Sequence, residues 1–293
     1  MIRTEENDCN SIVFVATCLP IITDNLLKQS IIANLIIATK APKTVEAVSS
    51  VAHRLNSEST VLFTQNGMGV ISKVNTKIFP KASQRPCYLA AVNTHGVKST
   101  PGKLFQPIHA GIGNVTIGPD PDSSMSDVKS KDWRGRYLLD KIVQAENLVA
   151  TEVDAQELLR LQLEKLIVNS IINPLTTVLG CENGALFRTD ELKDLIKILV
   201  EEAVEVINEL PGGQVEGRLE PERMIELVSQ IGILTSSNTS SMLQDSRAGR
   251  PTEIDFINGW IVEKGKEMDK GVKNHEMLMK LVKDGGRTLF NRP

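Results

Sequence analysis

Hydrophobic positions along this chain of 293 residues change their period part-way. Up to about residue 150 they gather in short β-branched runs: SIVFVAT, NLIIAT, STVLFT, CYLAAVNT and NVTIG. Between some of these lie pieces with helical spacing. APKTVEAVSSVAHRLNSE has Pro42 near its start and apolar residues at Val45, Val48 and Ala52, a pattern that predicts a helix packed by one face. Strand, helix, strand in that order predicts a parallel sheet with crossover helices.

From about residue 153 the spacing is helical almost throughout, in DAQELLRLQLEKLIVNSIIN, TDELKDLIKILVEEAVEVINEL, EPERMIELVSQIGILTSS and PTEIDFINGWIVEKGKEM. PGG at 211–213 and RAGRP at 247–251 punctuate these helices. The expected architecture is therefore α/β: a Rossmann-like domain over residues 1–152, then an all-α domain over residues 153–293. PDPDSSMSDVKSKD, at 119–132, is polar and rich in Pro, Ser and Asp, and reads as an exposed loop or insertion. No repeat with a period of 20 to 50 residues is visible.

Inside the helical half, LEKLIVNSIINPLTTVLGCENG at 163–184 breaks the apolar pattern with Lys165, Asn169 and Asn173 at four-residue intervals. Each step of four advances about 40° around a helix, so the polar groups form one slanting stripe. Three aligned polar groups ahead of Pro174, with Asn183-Gly184 closing the segment, suggest a row that faces a ligand. A lysine reaching solvent, with asparagines capping backbone, is the structural alternative. Further on, Thr239, Ser240 and Ser241 precede MLQD as helix-capping residues would, and Thr252 with Glu253 begins the next expected helix. A carboxylate there could set the charge of a facing lysine, or merely complement a helix dipole.

Composition narrows the function classes. A net charge of -3 and a pI near 5.9 leave no footprint for nucleic acid or anionic membrane. The apolar stretches SIVFVATCLPII and NLIIATKAP are broken by Pro or Lys well short of the roughly 18 residues that span a bilayer. Cys9, Cys18, Cys87 and Cys181 follow no zinc spacing and suggest no disulfide framework. His53, His95, His109 and His275 are dispersed, so no metal site is expected. A reducing interior fits, the cytoplasm first and the mitochondrion second. The helical half leaves room for a homodimer.

An α/β domain raises the question of a nucleotide, because open parallel sheets bind ligands at the carboxyl ends of their strands. Lys40 ends NLIIATK, and Gln65-Asn66-Gly67 ends STVLFTQNG, although QNG also reads as a simple turn. No glycine precedes Gly67, so no G-x-G-x-x-G opens the chain. GIGNVTIG, at 111–118, has the wrong spacing and a β-branched interior, and predicts a strand or hairpin.

QNGMG, NTHGVKSTPG with GIGNVTIGP, KLIVNSIINPLTTVLGCENG and SSMLQDSRAGRPTEIDFINGW together resemble the ketopantoate reductase (2-dehydropantoate 2-reductase) family, in matching order from about residue 30 to 285. The resemblance implies that NADPH and a small 2-oxo acid, 2-dehydropantoate, meet at a site served by both domains, in pantothenate synthesis. Matched by motif, Lys165 resembles the proton donor. Asn169, Asn173, Asn183, Asn238, Thr239, Ser240 and Ser241 resemble substrate contacts. Lys40, Asn66 and the backbone at Val97 resemble cofactor contacts, and Glu253 resembles the acid near the nicotinamide. Hydride transfer to a C2 ketone leaves an alkoxide, which a lysine ammonium can protonate while stabilising its charge.

Family members open with a strand, a glycine-rich turn and a helix, so the first βαβ unit is expected to be incomplete here, with weakened NADPH binding and an exposed sheet edge. Three readings stand: a sequence starting inside a longer reductase, which the intact catalytic-half motifs favour; a binding or regulatory relative without catalysis; or residues 1–28 rebuilding the missing layer.

Overall fold

Each β-branched run named above forms a strand in a computed structural model that describes residues 12–15, 30–100, 103–120, 133–210 and 218–285. In chain order the elements are β1 (Ile12–Val15), β2 (Asn34–Ile37), α1 (Ala41–Val51), β3 (Thr60–Phe63), α2 (Val70–Lys77), β4 (Cys87–Asn93), β5 (Gly96–Thr100), β6 (Lys103–Gly111), β7 (Val115–Pro119), α3 (Arg136–Val143) and β8 (Ala150–Glu152). One six-stranded sheet runs β1-β2-β3-β4-β7-β8, and β5 pairs with β6 in a separate two-stranded sheet. β1 to β4 are mutually parallel, β7 is antiparallel to β4, and β8 is parallel to β7.

Every residue of β2 and β3 is buried, which is what continuous apolar runs require in a sheet covered on both faces. α1 starts at Ala41 with Pro at N1/N2, where the preset φ helps and the missing N–H costs nothing. Its buried face is Ala41, Thr44, Ala47, Val48 and Val51, so Thr44 sinks where Val45 was expected. The Thr44 hydroxyl has partners at that depth: the Lys40 carbonyl at 3.3 Å and the Thr39 hydroxyl at 3.2 Å. Trp133, Leu138 and Leu139 cover Leu89 and Ile117 of the sheet.

One expectation for this region changes and another holds. The edge beside β2 is not bare: Ile12 to Val15 pair in register with Asn34 to Ile37, because IVFV is a β-branched run able to complete a parallel ladder. The strand expected within GIGNVTIG is β7, which follows the end of β6 at Gly111 through residues 112–114. Residues 121–132 of the expected polar loop, and the PGG segment, lie outside the described residues.

Contacts divide the chain into two units: residues 1–65 with 70–159, and residues 66–69 with 160–293. The second carries most of α4 (Ala155–Leu179), then α5 (Asp190–Asn208), α6 (Pro221–Leu234), α7 (Ser241–Arg247), α8 (Asn258–Glu267) and α9 (Lys273–Lys283). Thr189 starts α5 by accepting a hydrogen bond from the Leu192 N–H, with Asp190 and Glu191 in the first turn complementing the dipole. α4 differs from the others in being buried around nearly its whole circumference between Leu163 and Val178, so its polar side chains are interior groups that need partners. Among the described residues no helix is long and apolar enough to cross a membrane.

Candidate active site

Lys165 lies in the middle of α4, with Asn169 and Asn173 one and two turns further along. The side chain is partly exposed at its surface, yet its amine is withdrawn from water, and that desolvation lowers its pKa to about 8. The carboxylate of Glu253 opposes the shift by favouring the charged form. Glu253 is itself buried and accepts a hydrogen bond at 3.2 Å from the Asn66 side-chain amide. An acid, an amine and an amide from three distant parts of the sequence therefore share one neighbourhood in the helical unit.

Local structure explains how Asn66 arrives there. After β3 the chain turns through Gly67 and Gly69, whose φ values of +83° and +81° suit glycine. The Met68 N–H donates to the Phe256 carbonyl at 2.8 Å, and a Cβ added at Gly67 would lie 2.4 Å from that same oxygen. QNGMG is thus more than a turn, because its close backbone approach delivers Asn66 to Glu253. Glu253 does not begin a long helix as its spacing suggested. It precedes a single 3-10 turn, Ile254–Phe256, because the Phe256 and Ile257 N–H groups both close onto its carbonyl before α8 starts.

The Ser/Thr segment docks on the same helix. The Ser240 and Thr176 hydroxyls are 2.7 Å apart, and the Ser240 oxygen also accepts from the Leu243 N–H, capping α7. Ser241 follows as the exposed first residue of α7, and Thr239 accepts at its carbonyl from the Gln244 side chain. Asn183 fixes the preceding loop: its N–H donates to the Asn238 carbonyl at 3.0 Å and its amide to the Thr235 hydroxyl at 2.9 Å. Gly184 lets the loop lie close, since a Cβ there would be 2.6 Å from that of Ser236. Asn183 and Ser240 hence have structural tasks whatever they contact, while the carboxamide oxygen of Asn183 is buried with no hydrogen-bond partner among the described residues. Asn238 is exposed.

The remaining expected residues belong to the sheet unit. Lys40 is the exposed N-cap of α1, directly beyond β2, and Val97 is an exposed residue of β5. Gln65 stands at the carboxyl ends of β2 and β3, where its amide donates to the carbonyls of Ile37 at 2.7 Å and Thr39 at 3.0 Å. Those two bonds fix the amide orientation and leave the Gln65 Oε1 buried without a hydrogen-bond partner among the described residues.

Sequence reasoning overlooked Asn258 and His275, which sit beneath this site with no exposed surface. A signal existed: Pro174 inside a helix removes one backbone N–H, and the carbonyl of Ser170 then needs a donor from elsewhere.

A mostly parallel sheet unit followed in sequence by a helical unit that brings a desolvated lysine near a glutamate is a two-part α/β class of fold. The model of the family described as Ketopantoate reductase PanE/ApbA matches residues 5–122, and that of its C-terminal part, Ketopantoate reductase PanE/ApbA C terminal, matches residues 157–285. The chain belongs to the ketopantoate reductase family, and the likeness begins at residue 5, not near residue 30. It is 30% identical over 259 residues to a probable 2-dehydropantoate 2-reductase of Schizosaccharomyces pombe, covering 86% of this chain and 73% of that protein. To a ketoisovalerate reductase of Beauveria bassiana it is 29% identical, covering 86% and 64%. A solved ternary structure of D-mandelate dehydrogenase with NADH and anilino(oxo)acetate shares the fold at a TM-score of 0.69 and 22% identity, covering 87% of this chain and 76% of that one.

Proposed function

We propose that the chain reduces 2-dehydropantoate to pantoate with NADPH, residues 1–152 serving the cofactor and residues 153–293 the substrate, in the cytoplasm or the mitochondrion. One observation carries the reading: a desolvated amine with a pKa near 8 faces a buried carboxylate. That value keeps the amine largely protonated at neutral pH yet ready to release its proton, as a general acid requires.

Gln65 Oε1 is the feature of the sheet unit that fits a nucleotide, being a buried acceptor with no donor among the described residues where parallel strands end. Lys40, at the start of α1, adds positive charge at that end of the sheet. NADPH, when bound, supplies a hydride to the ketone carbon. Lys165 then donates its proton to the forming alkoxide and steadies the negative charge as it develops. Asn169 and Asn173, along the same helix, orient the oxo acid by its hydroxyl and carboxylate, so that its carbonyl oxygen stays within reach of the lysine. Ser241 binds the carboxylate from the start of α7. Glu253 keeps Lys165 charged and, through Asn66, ties the QNGMG turn to the acid–base centre.

The absence of glycine before Gly67 favours a second reading, a family member that binds without catalysis. Titration of NADPH by its fluorescence, followed by NADPH oxidation with 2-dehydropantoate and with 2-oxoisovalerate, separates the readings. Saturable binding and faster turnover of 2-dehydropantoate support the reductase. Turnover of 2-oxoisovalerate alone would reassign the substrate, and well-folded protein without either signal would leave the binding reading.

Glu253→Gln tests the electrostatics. Removing the charge that raises the amine's pKa lets desolvation act unopposed, so the alkaline limb of the rate profile moves from about pH 8 to lower pH. An unmoved limb in the glutamine variant would show that Glu253 does not act on Lys165.

A further inference from the structure

Pro174 lies inside α4, four residues after Ser170. Proline has no N–H, so the usual donor to the Ser170 carbonyl does not exist, and a proline ring also crowds the carbonyl four residues back. A completely buried carbonyl without a donor would be costly. Here the Asn258 side chain, from the first residue of α8, donates to the Ser170 oxygen at 2.8 Å. This carbonyl lies between the two asparagines of the polar row, one residue beyond Asn169 and three before Asn173.

Asn258 is in turn held by His275. The second hydrogen of its amide points at His275 Nδ1, 3.0 Å away, and His275 Nε2 stands 3.0 Å from the Leu199 carbonyl. A carbonyl only accepts and an amide NH2 only donates, so the ring carries its hydrogen on Nε2 and is neutral. Burial, which pushes the His275 pKa down, favours the same state. Glu202 of α5 anchors the segment bearing the ring by accepting from the N–H groups of Asn274 at 3.2 Å and His275 at 2.9 Å. The amide cannot turn over, because its oxygen would then oppose the Ser170 oxygen. In the orientation found, Asn258 Oδ1 has no hydrogen-bond partner among the described residues, a cost that the two donated bonds offset.

We infer that Asn258, oriented by His275, is a positioning residue that replaces the hydrogen bond lost at Pro174 and thereby fixes the stretch of α4 presenting Asn169 and Asn173 to the oxo acid. The structural half, a bridge from α8 to the Ser170 carbonyl, stands on the distances alone. The functional half rests on the reductase reading above.

The test is a cycle of Asn258→Ala, Pro174→Ala and the double variant. Pro174→Ala restores a backbone N–H aimed at Ser170 and makes Asn258 dispensable. In the parent background Asn258→Ala is expected to lower Tm by about 3–8 °C. In the Pro174→Ala background the same substitution should lower it by clearly less. With turnover established, Asn258→Ala raises the KM for the oxo acid and lowers kcat about 10- to 100-fold. NADPH affinity stays within about twofold, since the change is confined to the substrate-facing helix. The double variant regains most of the lost kcat. A general loosening of the fold would give neither the selective KM effect nor the rescue.

Equal Tm losses in both backgrounds would overturn the bridge. Coupling in Tm without any turnover by the parent protein would leave the bridge standing and sink the reductase reading. Wild-type KM and kcat in folded Asn258→Ala would overturn the positioning role. If Asn258→Ala alone does not fold, a cooperative melt recovered in the double variant supports the bridge, and a double variant that stays unfolded while Pro174→Ala folds refutes it.

Discussion

Lys165→Ala is expected to lower kcat for oxo acid reduction by about 10² to 10⁴, the range a positioned general acid supplies. NADPH binding should persist, so fluorescence titration separates this loss from a loss of fold. If the parent protein turns over the oxo acid as proposed, its rate should fall as pH rises through about 8, where the amine loses its proton, and the alanine variant should lack that limb. Stability carries an independent signature. The amine's pKa is lowered from 10.5 to about 8 on folding, so between those values the unfolded chain binds more protons than the folded one. Stability therefore rises with pH across that window, and the desolvation cost is felt in full only below it. Denaturant titrations from pH 7 to 10.5 should show the upward slope in the parent and a flatter line in Lys165→Ala. A variant that keeps near-parent turnover would remove Lys165 from the chemistry.

Gly67→Ala is expected to be among the most damaging single changes to the helical unit. A Cβ must accept φ of +83° and must also displace the Phe256 backbone oxygen, which would be only 2.4 Å away. Left-handed strain costs roughly 1–2 kcal/mol, and a backbone clash adds to it, so a loss of about 2–4 kcal/mol and of roughly 5–15 °C in Tm is expected. Separating Asn66 from Glu253 should also disturb the alkaline limb set by Lys165. Gly249→Ala is the control: φ is +65° but nothing lies within 4 Å of an added Cβ, so only the strain should appear. Similar Tm losses in the two variants would mean that the contact with Phe256 contributes nothing.

Much of the site was legible because its signals are local. A row at four-residue intervals in an apolar helix can be read from spacing alone, and Lys165, Asn169 and Asn173 do lie along α4. Capping chemistry is nearly as local: Ser240 accepts from the Leu243 N–H just as a residue preceding MLQD should. Other features were illegible for a common reason. The partner of Asn66 is 187 positions away, and that of Asn258 is 88 positions away, distances over which no period or spacing specifies who meets whom. SIVFVAT was readable as a strand, but an isolated run of IVFV does not name its neighbour, whereas the observed register does.

By itself, then, the sequence determined the kinds of element and their order, since apolar period, proline and glycine act within a few residues of chain. It also placed an amine and two carboxamides on one side of a helix. Tertiary packing alone decided that a glutamate would share the buried surroundings of that amine, that a glycine turn would carry Asn66 onto the glutamate, and that a side-chain amide would stand in for the hydrogen Pro174 lacks. Those outcomes depend on desolvation and on contacts between remote segments, and neither exists until the core has closed around them.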